Sequence, residues 1–147
     1  GKGYPSRAIR TLDFMYIYNH NPERWPSGNP NREFCARYIP FGEVDPSPTK
    51  NLLMDNKEKP GFKLFYDLAF AKRPAEELYD LTEDPAQINN LAGKPKYAEV
   101  QKDLSVQLKQ RLVSTEDPRA LGLDAPWDYY PYYGTMRNKN WKVDTRP

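Results

Sequence analysis

RPAEELYDLTEDPAQINNLAGKPKYAEVQKDLSVQLKQRLVS, residues 73–114, is the stretch on which the fold turns. Its first part reads as a strand over 73–81, because EELYDL sets Leu78, Tyr79 and Leu81 among acids at strand spacing. TEDPAQINNLAG then reads as an ordered turn, opened by Asp84-Pro85 and carried by Asn89-Asn90, residues that accept unusual backbone angles. The remainder predicts a helix over 94–114. Tyr97, Val100, Leu104, Leu108 and Leu112 follow one another at steps of three or four, an apolar stripe that must face a core. Pro95 sits in its first turn, and Asp117-Pro118 ends it.

Upstream, SRAIRTLDFMYIYN reads as an antiparallel hairpin with a tight connection at Leu12-Asp13. Phe14, Tyr16 and Tyr18 share one side, Met15 and Ile17 the other. From Asn19 to Pro48 the pattern breaks. Pro22, Pro26, Pro30, Pro40 and Pro46 fix φ and remove donors, so a long irregular loop is expected. Loops of this length inside a compact domain are usually functional or packed on something larger. Ser47 is a candidate N-cap for a short helix from Pro48 to about Asn56. KPGFKLFYDLAFAKRP predicts a second, with Phe62, Phe65, Leu68 and Ala69 at helical spacing. The expected class is α+β: an antiparallel sheet of about four strands, a long amphipathic helix towards the C-terminus and long Pro-rich loops.

Composition bounds the chemistry. The chain has 147 residues, with 22 basic against 20 acidic side chains, a net charge of +2 that gives no global field for nucleic acid or anionic membranes. No apolar run is long enough to span a bilayer. One cysteine, Cys35, excludes an internal disulfide and a multi-thiolate metal site, and one histidine, His20, leaves any His-based metal site to carboxylates. Gly1 opens the chain without an initiator Met, as at a processing site or a cloned boundary.

Cys35 as a nucleophile needs an activating base and an oxyanion hole, and His20 stands in the same loop; the plainer reading is a thiol that fills space. The acid pairs Glu76-Glu77, Glu83-Asp84 and Glu116-Asp117 fall at turns or strand edges, where acids cap helices and stay solvated; no Asp-rich calcium loop surrounds them. Arg7 and Arg10 alternate with apolar residues on a strand and suit a surface or an interface. The aromatic tail WDYYPYYG at 127–134 lacks the basic groove of a nucleic-acid platform and reads as packing surface.

Several passages resemble the C-terminal subdomain of type I sulfatases, especially the heparan N-sulfatase (sulfamidase-like) branch of that alkaline-phosphatase superfamily. They are YPSRAIRTLDFMYIYN at 4–19, NPERWPSGNP at 21–30, RPAEELYDLTEDPAQINNLAG at 73–93, TEDPRALG at 115–122 and DYYPYYG at 128–134. Gln87 stands where the family usually has Glu, and His20 where it commonly has an aromatic residue. The resemblance implies a sheet flanked by a long helix and a catalytic α/β domain upstream. There a cysteine in C-x-[P/A]-x-R becomes formylglycine, and Ca²⁺ balances the sulfate charge. Cys35 fails that signature, because Ile39 occupies the place of the arginine. Residues 1–147 are thus expected to be a subdomain without catalytic residues, metal ligands or a cofactor of their own. Their partners would be the upstream catalytic domain and, in the whole enzyme, a sulfated carbohydrate; the family's location is periplasmic, secreted or lysosomal.

In that family, C-terminal loops reach over the rim of the catalytic pocket. Arg24 beside Trp25 suits a sulfated sugar, guanidinium to sulfate and indole to the ring, with His20 as a third substrate contact. The alternative makes Trp25 a loop anchor, Arg24 half of a structural ion pair and His20 an ordinary hydrogen-bonded side chain. Two other functions stay open: a non-catalytic module that binds a sulfated glycan or a protein, and the C-terminal part of a related phosphodiesterase or phosphoglycerol transferase.

Overall fold

Three antiparallel strands and one long helix make up the first of two compact units, residues 5–22 with 74–127, in the computed structural model, which describes residues 4–35 and 37–130. The strands are β1 (Ser6–Arg10), β2 (Phe14–Asn19) and β3 (Glu76–Asp80), in the order β1-β2-β3. The hairpin forms as its alternation predicts. The Thr11 hydroxyl closes the turn by accepting from the Phe14 N–H at 2.9 Å. Register places Ile9 opposite Tyr16 and Tyr16 opposite Leu78, so one face carries an apolar row across all three strands.

The helix α3 (Ala98–Ser114) lies on that row. Leu104 and Leu108 join Tyr16 and Leu78 in the buried cluster, while Tyr97, Val100 and Leu112 pack against it. The apolar stripe of the sequence is therefore the buried face. The helix begins later than its periodicity predicts: residues 95–97 form a 3-10 turn, with Tyr97 N–H bonded to Lys94 C=O at 2.9 Å. It stops in a Schellman motif at residues 115–117. Asp117 N–H reaches Leu112 C=O at 2.9 Å, Glu116 N–H reaches Val113 C=O at 3.1 Å, and Glu116 takes the left-handed angle, φ 56°.

β3 is shorter than the 73–81 expectation and does not alternate in burial: Glu77, Leu78 and Tyr79 are all buried. In the turn behind it the unusual angle falls on Gln87 (φ 55°), not on Asn89 or Asn90. Asp84 explains the shift. Its carboxylate accepts from Ile88 and Asn89 N–H at 2.8 and 2.7 Å, folding the chain around Gln87. Asn90 works through its side chain instead. Its amide oxygen accepts from Leu78 and Ala92 N–H, both at 2.9 Å, and its nitrogen donates to Glu76 C=O at 3.2 Å. It thereby supplies the edge of β3 with the partners a fourth strand would give.

The second unit is built mainly from residues 23–73. It holds α1 (Pro48–Asp55), capped by the Ser47 hydroxyl accepting from Lys50 N–H at 3.1 Å, and α2 (Pro60–Phe70). α2 buries Phe70 and half-buries Phe62, Tyr66, Leu68 and Ala69, whereas Phe65 is 56% exposed; of the four residues read at helical spacing, Phe65 faces outward. The reason is Phe41 of the preceding loop, whose ring meets Phe70 at 4.8 Å and Tyr66 at 6.2 Å. Of the aromatic tail, residues 131–134 lie outside the described residues.

Candidate functional site

The Pro-rich loop is organised around Phe41, which is 2% exposed despite standing outside any helix or strand. Its N–H donates to Asn29 C=O at 2.9 Å, and the Ser27 hydroxyl donates to Ala69 C=O at 2.7 Å, tying the loop to α2. Gly28 sits at φ +90° with Gly42 N only 3.1 Å from where a Cβ would stand, so two loop segments touch backbone to backbone there. Buried Lys50 donates to Phe41 C=O and Val44 C=O, both at 2.8 Å, and desolvation lowers its pKa. An ammonium thus supplies donors to two carbonyls on the irregular path of the loop.

Arg24 and Trp25 belong to this loop and are half-buried. The indole meets Phe41 edge to face at 5.9 Å, and the Lys72 ammonium lies 5.1 Å from its ring centroid. Trp25 therefore has two neighbours already, one apolar and one cationic. His20 falls in the other unit, at the end of β2, so the three expected contacts are divided between the two units.

His20 bonds through its backbone N–H to Pro5 C=O at 2.9 Å, and its ring meets Tyr18 edge-on at 4.9 Å. Its Nε2 is buried without a hydrogen-bond partner among the described residues. Burial lowers its pKa, the charges of Arg7 and Arg119 lower it further, and Asp117 partly opposes them. Arg7 in turn is held by Asp117, with Nε to Oδ2 at 2.7 Å and Nη2 to the same oxygen at 2.6 Å. Burial pushes the Asp117 carboxyl up, but Arg7 and the N–H groups of Ala120 and Arg119 together hold it below its ordinary value. This side of the sheet is a neutral imidazole bordered by a tied ion pair.

Cys35 is buried at 7% exposure, and its Sγ lies 3.1 Å from Asn29 C=O and 3.2 Å from Asn31 C=O as a donor. Burial raises its pKa, which is the reverse of what a nucleophilic thiol needs. The Glu76-Glu77 pair is less solvated than its place in the sequence implies, while Glu83 and Glu116 are exposed. Glu77 is buried and accepts from Asn19 Nδ2 and from Tyr79 O–H at 2.7 and 2.5 Å. Glu76, on the opposite face, accepts from Tyr16 O–H at 2.9 Å and from Gln101 at 2.7 Å. Both carboxylates tie β3 to its neighbours. Among the described residues no three His, Cys, Asp or Glu side chains stand close enough to hold a metal ion. The residues present fit neither a calcium site nor a formylglycine precursor, and no chemical step is derived through either.

No protein-family model matches the chain. Over 116 residues it is 28% identical to a protein named ulvan-active sulfatase from Formosa agariphila, a match that takes in 76% of this chain and 17% of the relative. The chain carries a sulfatase-related region. It spans about a sixth of that relative's length. No helix of the described residues is long and apolar enough to cross a membrane.

Sequence reasoning passed over Lys72 and Lys50. Lys72 lies beyond the end of α2, and only the folded chain brings it over Trp25, 47 positions earlier by number. The signal for Lys50 is equally non-local, because the carbonyls it satisfies are orphaned by the irregular path of 41–44. Arg7 was legible as a surface or interface cation, but its partner Asp117 is 110 positions away.

Proposed function

We propose that this chain is the C-terminal part of a sulfatase, on the sulfamidase-like side of the family, which hydrolyses sulfate esters or sulfamates of sulfated glycans. The observation that carries this is the match to a sulfatase, together with a small antiparallel sheet closed by one amphipathic helix. The subdomain completes the fold and the rim of a pocket whose formylglycine, Ca²⁺ and catalytic side chains lie upstream. The loop of Arg24 and Trp25 supplies contacts to the glycan. The enzyme works outside the cytoplasm, where sulfated glycans are met. Taken alone, residues 1–147 are inactive.

The test has two parts. The native polypeptide is sequenced upstream of Gly1, and the purified protein is assayed for sulfate release from an aryl sulfate, from N-sulfated glucosamine and from ulvan. A C-x-[P/A]-x-R segment with measurable sulfate release upholds the reading. If a lone Thr or Ser nucleophile stands upstream and phosphodiesters are cleaved, the phosphoesterase alternative replaces it. A native chain that begins near Gly1 and binds sulfated glycan without hydrolysis replaces it with a binding module.

A further inference from the structure

Lys72 is held in an unusual way for a surface lysine. α2 ends at Phe70, whose ring is buried on Phe41, and Ala71 turns the chain out of the helix while its N–H still bonds Asp67 C=O at 3.0 Å. The next residue, Lys72, is exposed, and its Nζ lies over the indole of Trp25, 5.1 Å from the centroid. A cation over an indole is attracted to the ring without giving up its N–H donors, since the π face accepts charge and not a directed bond. No carboxylate among the described residues comes within ion-pair distance of this ammonium. The adjoining Arg73 differs. Its Nη2 donates to Leu68 C=O at 2.5 Å and so completes the end of α2.

The result is an exposed ammonium positioned over the indole, next in space to the Arg24-Trp25 segment. An anionic oxygen accepts from such a group in a charge-assisted hydrogen bond, which a neutral hydroxyl does not match. Trp25, with Phe41 on it as well, is then chiefly the platform that fixes Lys72.

We propose that Lys72, positioned by the indole of Trp25, recognises a sulfate group of the glycan away from the bond that is cleaved. This rests on the sulfatase reading for the identity of the anion, but not for the existence of the contact. The role is one of binding and specificity; Lys72 is not a catalytic residue.

The experiment uses the full-length polypeptide and two probes, dextran sulfate with plain dextran as its control, and inorganic sulfate as competitor. Binding is measured by calorimetry in low and physiological salt. Lys72→Ala is expected to weaken dextran sulfate binding about threefold to tenfold, Lys72→Arg to keep it, and Trp25→Leu to weaken it by loosening the ammonium. Lys109→Ala, on the exposed side of α3, serves as the control for general charge and should leave affinity unchanged. The inference is overturned if Lys72→Ala binds as the parent does, or if Lys109→Ala weakens binding equally. It is also overturned if inorganic sulfate competes as well as the polymer per sulfur, which marks a free-oxyanion site. Sulfate release is assayed separately: its absence sinks the proposed function while the binding result still decides Lys72.

Discussion

Glu116 holds the left-handed angle of the Schellman motif with a side chain that is exposed. An L-residue there carries a local steric cost that glycine lacks, set against the greater freedom glycine has when unfolded. Glu116→Gly is therefore expected to stabilise the protein by about 0.5–1 kcal/mol, read as a rise in the thermal midpoint of a few degrees. A midpoint that falls would mean that the carboxylate does more than the backbone shows. At this scale the sequence is legible where one residue decides one bond. Ser47 caps α1 as its position before Pro48 predicts, and Asp84 opens the turn as expected. It is illegible where two mild options compete. Asn89 and Asn90 tolerate the left-handed angle well, yet Gln87 adopts it, because the Asp84 carboxylate takes the N–H groups of Ile88 and Asn89 and so fixes where the chain must reverse.

Periodicity carries α3 throughout and α2 except at exposed Phe65, and the difference lies in what covers each helix. The α3 stripe meets a regular sheet whose own face is set by strand alternation, so two independent patterns agree. Leu104→Ala, at 4% exposure, is expected to cost about 2–4 kcal/mol in chemical unfolding, while Val106→Ala, at 46% exposure, costs under about 1 kcal/mol. Equal losses would place the core on the wrong side of the helix. For α2 the cover is an irregular loop in which Gly28 and Gly42 touch backbone to backbone and Phe41 meets Phe70, contacts that no period encodes. The ion pair between β1 and the turn after α3 adds a pH effect. His20 is held below its ordinary value of 6.5 by burial and by Arg7 and Arg119, so the unfolded chain takes up its proton first. Stability from this group is then full above pH 6.5 and is lost as pH falls from there through the lower folded value. The ring is partly solvated, and the loss stays under about 1 kcal/mol. His20→Gln should flatten the fall in thermal midpoint between pH 7 and pH 5; an unchanged slope would assign that fall to other groups.

Across the whole molecule, the sheet with its helix was readable, while the proposed place within a larger enzyme rests on resemblance. Sequence alone names the alternation, the stripe and the absence of a C-x-[P/A]-x-R segment, since those are local. It does not show that Trp25 is occupied by Lys72 and Phe41, or that His20 lies in a different unit from Arg24 and Trp25, since those depend on contacts made after folding. The same contacts decide what Cys35 can do. A thiol with its sulfur against two backbone carbonyls, buried and raised in pKa, has neither the ionisation nor the access that attack on a sulfate or oxidation to an aldehyde requires. Replacing Cys35 by Ser keeps a donor for Asn29 C=O and Asn31 C=O. In the full-length protein, Cys35→Ser is expected to leave kcat and KM for sulfate release within about twofold of the parent, with at most a loss of stability of about 1 kcal/mol from the more polar hydroxyl. A variant that folds to the same thermal midpoint and yet loses all turnover would put the nucleophile inside this chain. The sulfatase-related region would then have to be read as a catalytic unit of its own, with chemistry unlike that of the enzyme it matches.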